Sequence, residues 1–176
     1  MTNELLVIID PQNDFINKEG SYAKRHAGIK QILNAKEKIN KLIAVHDKNN
    51  LVIVFSNYEE DQFEKGVTIC IPGTDGHKID IDVDDSYTLI LKKDHSCFSS
   101  DDFNQHLKNK KIHRLILCGF LAEYCVKKTA LDALDNGYSI SLLKDCIGTG
   151  DDVQHLKEQM LLELMAKGAT IIDSDL

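Results

Sequence analysis

The chain has 176 residues, 43% of them hydrophobic and 28% charged, with a formal net charge of −7. That length suits one domain, residues 1–176, with a sizeable core, and the negative balance disfavours nucleic acid or an anionic membrane as partner, since both are captured by clustered positive charge. Five cysteines, at 70, 97, 118, 125 and 146, form no C-x-x-C pair and no metal-ligand spacing, which points to a reducing cytoplasm rather than a disulfide framework.

Residues 1–9 lack the basic start and long apolar stretch of a secretory leader, and no window approaches the ~18 apolar residues of a membrane span, so a soluble protein is expected. Glu4 to Ile9 is apolar after Glu4 and ends at Asp10-Pro11. Such continuous runs belong to parallel strands buried on both faces. Asp10 then stands at the carboxyl end of the first strand, the edge where open α/β sheets bind ligands; an aspartate before proline is equally a turn former. Asp10-Pro11-Gln12-Asn13-Asp14-Phe15 leads into a polar loop with Gly20 and Gly28. Ile29, Ile32, Leu33, Ile39, Leu42 and Ile43 keep close to the 3.6-residue period and predict an amphipathic helix from Ile29 to His46. Leu51 to Phe55 is a second buried strand, so strand, helix and strand imply a right-handed parallel crossover.

From Ser56 to Asp85 regularity is lost, and so long a connection is usually functional, such as a pocket wall or lid. Asn57, Glu59 and His77 could supply metal ligands there, but no metal motif is present and solvated loop residues are the plainer reading. Ser86 to Leu91 is a third strand delivering Lys92 and Lys93 to its carboxyl end; alternation turns one of them inward, with the phase open. Asp94-His95-Ser96-Cys97-Phe98 is a loop, and Ser99 or Ser100 caps a helix running through Phe103 and Leu107. The basic run Lys108 to Arg114 reads as a solvated connection.

Leu115 to Cys118 is the fourth strand. A glycine turn follows, then a helix with Cys125 in its first turn and Val126, Thr129, Ala130, Ala133 and Leu134 on one face, closed by Asn136-Gly137. Unpaired N–H groups at a helix start favour a thiolate, which makes Cys125 a candidate nucleophile; a small buried core residue is the alternative. Tyr138 to Leu143 is the fifth strand, Asp145 to Gly150 a loop, Asp151 to Lys167 a helix and Ala169 to Ile172 the last strand. The fold class is α/β, a three-layer doubly wound, mainly parallel six-stranded sheet with helices on both faces.

Asp10, one of Lys92 and Lys93, and Cys125 therefore share one sheet edge. A carboxylate, an ammonium and a thiol together suit nucleophilic catalysis, with the lysine and helix terminus favouring thiolate. The carboxylate would take the thiol proton and return it to a leaving amine. Backbone N–H groups in the turn before the helix are placed to hold an oxyanion. None of this requires a metal.

Three segments also carry a family resemblance. Asp10-Pro11-Gln12-Asn13-Asp14-Phe15 resembles the D-x-Q-N-D-F signature of the isochorismatase-like cysteine hydrolases. Lys92 with Ser96-Cys97-Phe98 is similar to their K-x-x-x-S-A-F loop, which selects Lys92 over Lys93, and Glu123 to Ala133 resembles the nucleophile segment of the nicotinamidase-type members. The resemblance spans nearly the whole chain. It implies a triad in which Asp10 is the general acid/base, Lys92 the electrostatic partner and Cys125 the nucleophile that forms a thioester. It also implies a cis peptide at Phe120-Leu121, with the amides of Leu121 and Cys125 as oxyanion hole, and assembly as a homodimer or homotetramer.

Departures from the family pattern narrow the chemistry. Ala122 stands where many members have threonine, so a hydroxyl cap is absent. Metal-dependent nicotinamidases carry D-x-H after the second strand, where this chain has Asn57-Tyr58-Glu59. True isochorismatases generally lack the nucleophilic cysteine, so Cys125 argues against vinyl-ether hydrolysis. Phe15, His95, Phe98 and Tyr124 are the candidate pocket walls, Asp14 a supporting charge, Cys97 a space filler and His155 a structural helix residue. The expected activity is metal- and cofactor-independent hydrolysis of a small carboxamide or ureido C–N bond. Nicotinamidase or pyrazinamidase is the nearest alternative, and a redox sensor oxidised at Cys125 the remote one.

Overall fold

The computed structural model describes residues 3–175. Six strands, β1 (Glu4–Ile9), β2 (Leu51–Ser56), β3 (Thr88–Lys92), β4 (Arg114–Phe120), β5 (Ser139–Gly148) and β6 (Thr170–Ile172), form one sheet in the order β3-β2-β1-β4-β5-β6. Every neighbouring pair is parallel. Leu5 to Ile9 and Leu51 to Val54 are buried residue after residue. Because successive side chains point to opposite faces, this unbroken burial means that both faces of the central sheet are covered, as the all-apolar runs require.

The helices are α1 (Asn13–Ile16), α2 (Lys30–Val45), α3 (Asp101–Asn109), α4 (Lys127–Asp135) and α5 (Gln154–Ala166). The periodic positions Ile32, Ala35, Ile39, Leu42 and Ile43 are the buried face of α2. Its start is capped from a distance: the Asp151 carboxylate accepts from the amides of Lys30 and Gln31, each at 2.8 Å. Ser100 caps α3, accepting from the Phe103 amide at 3.4 Å.

Two expectations are corrected. The fifth strand does not stop at Leu143. A register shift between Leu117 and Gly119 lets β5 pick up the ladder again, pairing Gly119 with Ile147 and Phe120 with Gly148. Lys144 and Asp145 interrupt the apolar run because they face salt-bridge and hydrogen-bond partners near the C-terminus, Asp173 at 3.1 Å and Ser174 at 2.5 Å. The second correction concerns Cys125, which lies in a single π turn, Ala122–Val126, ahead of α4 rather than in the first turn of that helix.

The long irregular segment after β2 is pinned to the loop after β1. Gln12 Nε2 donates to the carbonyls of Ser56 at 2.8 Å and His77 at 2.9 Å, while its Oε1 accepts from the Ser56 amide at 2.7 Å. The Asp14 carboxylate accepts from the amides of Cys70 at 2.7 Å and Ser21 at 3.1 Å. Asp14 is thus a bracket for the loop. These bonds satisfy backbone groups that no helix or strand would pair.

Candidate active site

Each polar side chain of the site hangs from the carboxyl end of a strand. Asp10, just past β1, takes a left-handed backbone with φ 51°, which aspartate tolerates better than branched residues do. Lys92 ends β3 in register with Ser56, the last residue of β2. All three are fully buried, whereas Lys93 is exposed.

The Lys92 ammonium lies 2.9 Å from Asp10 Oδ2. It is also within 2.8 Å of Ser56 Oγ, 2.8 Å of the Asp94 carbonyl and 3.1 Å of the Tyr58 hydroxyl. Ser56 Oγ in turn donates to Asp10 Oδ1 at 2.8 Å. Burial, the largest influence, pushes Lys92 toward the neutral amine, but the Asp10 carboxylate together with Cys125 and Tyr58 outweighs it and holds the pKa well above the usual lysine value. Opposite charges at contact distance in a dry interior favour each other's ionised form.

Cys125 is buried, and its Sγ is 3.6 Å from each of Lys92 Nζ, the Tyr58 hydroxyl and His95 Nδ1. The pull of the lysine toward thiolate meets opposing electrostatics here. Burial pushes the thiol pKa up, the Asp10 carboxylate pushes it further, and Lys92 and Tyr58 offset only part of this. Lys92 is already matched by Asp10, so the thiol faces a nearly neutral pair.

The turn before Cys125 is set by close packing of β4 on β1. Gly119 has φ +119°, and a Cβ there would meet the Ile9 carbonyl oxygen at 2.1 Å, so only glycine fits. The Phe120-Leu121 peptide is cis. The Leu121 carbonyl accepts from the amides of Tyr124 and Val126, each at 3.2 Å, which supplies the turn with partners in place of a side-chain cap.

Cys125 lies in the wall of a cavity of about 430 Å³ that Phe15, Tyr58, Phe63, His95, Leu121 and Tyr124 also line, with Tyr22, Arg25 and His26 further round. The His95 ring stacks on Phe63 at 4.2 Å and faces Tyr124 at 5.7 Å. Phe15, His95 and Tyr124 thus line this cavity, but Phe98 does not. The turn Cys97–Ser99 carries the Phe98 ring toward Phe103 at 5.3 Å and Tyr138 at 5.8 Å, and Phe98 lines a second cavity of about 520 Å³. Cys97 is fully buried, its amide donating to Thr129 Oγ1 at 3.0 Å, and burial pushes its thiol up to about 12. His155 is an exposed residue of α5.

The residues at the candidate metal position do not make a cradle. Tyr58 turns its hydroxyl toward Lys92 and Cys125, Asn57 donates its amide to the Lys92 carbonyl at 2.9 Å, Glu59 is exposed, and His77 meets the Phe55 ring at 5.7 Å. Among the described residues no three of His, Cys, Asp and Glu converge in a ligating group.

Ser56 and Tyr58 belong to the site and were not legible as site residues. A serine closing the run Leu51 to Phe55 is one usable signal, since a polar residue at the carboxyl end of a buried strand needs a partner. Tyr58 gave none, because a tyrosine in an irregular acidic segment reads as a surface aromatic.

Residues 4–175 match the isochorismatase domain family. Over 96 residues the chain is 32% identical to the nicotinamidase of Escherichia coli, covering 54% of this chain and 44% of that protein, so the shared part is under half of that relative. The secreted isochorismatase effector of Verticillium dahliae is 23% identical over 98% of this chain and 88% of its own length. Among solved structures, the zinc complex of Pyrococcus horikoshii pyrazinamidase superposes with TM-score 0.83 at 24% identity, covering 97% of this chain and 99% of that one. The nicotinamidase of Bacillus subtilis gives 0.81 at 21%, covering 98% and 100%. At such identities the superpositions speak for the fold.

Proposed function

Because the chain belongs to the isochorismatase family of hydrolases, we propose that it is a cysteine-dependent amidohydrolase cleaving a small carboxamide or ureido C–N bond. The single observation that carries this reading is the contact set around one thiol: Cys125 Sγ 3.6 Å from Lys92 Nζ, which is itself 2.9 Å from Asp10, beside an open cavity.

In this reading Sγ attacks the amide carbonyl carbon as the thiol proton passes to Asp10. The amides of the turn at Leu121 and Cys125 receive the developing oxyanion, a contribution of about 3–4 kcal/mol per donor in comparable sites. Collapse expels the amine, which takes the proton from Asp10 and leaves a thioester on Cys125. Lys92 keeps its charge throughout and holds Asp10 in place. Water then hydrolyses the thioester. No step runs through a metal, since the residues that would hold one do not form a cradle.

Cys125→Ala should abolish ammonia release, and acid-quenched turnover of the wild type should carry an acyl mass increment on Cys125. Full turnover by the alanine variant, or no increment, would remove the reading. Nicotinamide hydrolysis is the second reading, favoured by the names of the relatives. An ammonia assay with nicotinamide, with and without added zinc, separates it from other amides.

A further inference from the structure

The cavity that holds Cys125 has two side chains of fixed charge in its wall, Arg25 and Glu64. Both are exposed. The one side-chain hydrogen bond of Arg25 runs from Nε to the Ser21 carbonyl at 3.4 Å, so among the described residues both terminal amino groups of its fork are without a protein acceptor. Phe15, Ile69 and Leu121 make other parts of the wall apolar, and in such a cavity a few polar groups set how a ligand lies.

Arg25 stands on a fixed footing. It closes the short turn Ala23–Arg25, and its amide donates to the Tyr22 carbonyl at 3.0 Å. Tyr22 is buried, its hydroxyl is 3.0 Å from Thr149 Oγ1, and its ring stacks on His26 at 4.0 Å. His26 Nδ1 in turn lies 2.9 Å from Asp152. Glu64 belongs instead to the irregular acidic segment after β2, and no hydrogen bond or ion pair among the described residues holds its carboxylate. A planar guanidinium with two free amino groups matches a carboxylate through paired hydrogen bonds.

From this placement we propose that the substrate is a carboxamide or ureido compound carrying a carboxylate at its far end, and that Arg25 is the residue that selects it. This substrate class rests on the amidohydrolase reading above. The amide end meets Cys125 while the carboxylate takes the free amino groups of Arg25. With a monoamide of a dicarboxylic acid, one water is consumed, the C–N bond breaks, and the dicarboxylate and ammonia leave; the carboxylate on Arg25 is unchanged by the reaction.

Two matched pairs of compounds test this, and the first needs no turnover. Para-(bromomethyl)benzoate and para-nitrobenzyl bromide both alkylate thiols, and the nitro group copies the shape of the carboxylate without its charge. The ratio of their rates at Cys125, followed by peptide mass and divided by the ratio at a free thiol, should favour the anion in the wild type. It should fall about tenfold in Arg25→Gln, the weight of a hydrogen bond to a charged group. Arg25→Lys, which keeps the charge without the fork, should retain part of the preference, and Glu64→Gln should raise it by removing the opposing charge. The second pair is para-carbamoylbenzoate and para-nitrobenzamide, compared by kcat/KM for ammonia release, where the anion should again lead and Arg25→Gln should erase the lead. An unchanged alkylation ratio in Arg25→Gln would overturn the assignment to Arg25 while leaving the thioester reading intact. A lowered ratio in Glu64→Gln would overturn anion recognition in favour of a dipolar ligand, and a kcat/KM no higher for para-carbamoylbenzoate than for para-nitrobenzamide would overturn the substrate class. Hydrolysis of para-carbamoylbenzoate by Cys125→Ala at the native rate would instead remove the thioester reading.

Discussion

Lys92→Met is the most informative perturbation of the buried charge network. The substitution keeps an unbranched apolar stem and deletes the ammonium. Lost with it are contacts to Ser56, Asp94 and Tyr58, each worth about 1 kcal/mol net. Asp10 keeps the Ser56 hydroxyl at 2.8 Å but no cation. A carboxylate stranded in a dry interior is the larger effect, and breaking such pairs typically costs about 3–5 kcal/mol in total. For a chain of this size that lowers Tm by about 6–20 °C, taking about 2–4 °C per kcal/mol. The decisive measurement is a double-mutant cycle by urea denaturation. Asp10→Asn placed on the Lys92→Met background should recover about 1–3 kcal/mol, because no uncompensated charge remains. On acidification the single variant should regain stability, since its stranded carboxyl can then fold as the neutral acid. If the double variant is less stable than Lys92→Met by the full cost of Asp10→Asn alone, the two groups are not coupled and the ion-pair argument is wrong.

Four further outcomes follow from the same geometry. Gly119→Ala should destabilise the fold by more than about 2 kcal/mol, seen as loss of soluble protein or a lowered denaturation midpoint, because its Cβ would overlap the Ile9 backbone at a positive φ. Ser56→Ala should cost about 1–3 kcal/mol by the same assay, as it leaves one oxygen of a buried carboxylate unpaired. Tyr58→Phe keeps the edge contact with Phe63 at 4.8 Å but removes the hydroxyl on Cys125 and Lys92, so turnover should drop about tenfold with stability lowered by about 1 kcal/mol. Stability should fall as pH drops below about 6.5, the unfolded histidine value. The pKa values of His95 and His106 are both lowered by burial, so below that pH the unfolded chain binds more protons than the folded one. Flat stability between pH 7 and 5 would contradict this.

Apolar continuity made the sheet legible. Leu5 to Ile9, Leu51 to Phe55 and Leu115 to Cys118 are so uniformly hydrophobic that little but a buried parallel strand accommodates them. The end of β5 was hidden because Lys144 and Asp145 resemble a loop, and their partners Asp173 and Ser174 lie about thirty residues away. The site divided the same way. Asp10 and Cys125 were found because strand ends are recognisable, and Lys92 was separated from Lys93 by family resemblance alone, a choice the burial of Lys92 independently supports. Phe98 was misplaced because a short turn sets its ring direction, and Tyr58 was missed because its role depends on loop packing. What the sequence could not weigh at the thiol is burial, which together with the Asp10 carboxylate pushes its pKa up against the pull of Lys92.

The strand order β3-β2-β1-β4 has a consequence for how such a chain can be assembled. Lys92, Ser56, Asp10 and Cys125 sit side by side across the sheet in an order unlike their order along the polypeptide. The chain lays down β1 first, winds outward to β3, then returns past its own start to place β4. The three charge-network residues thus come from the ends of the first three strands and from one side of the sheet, while the sulfur is brought to them by a later strand that closes on the other flank of β1.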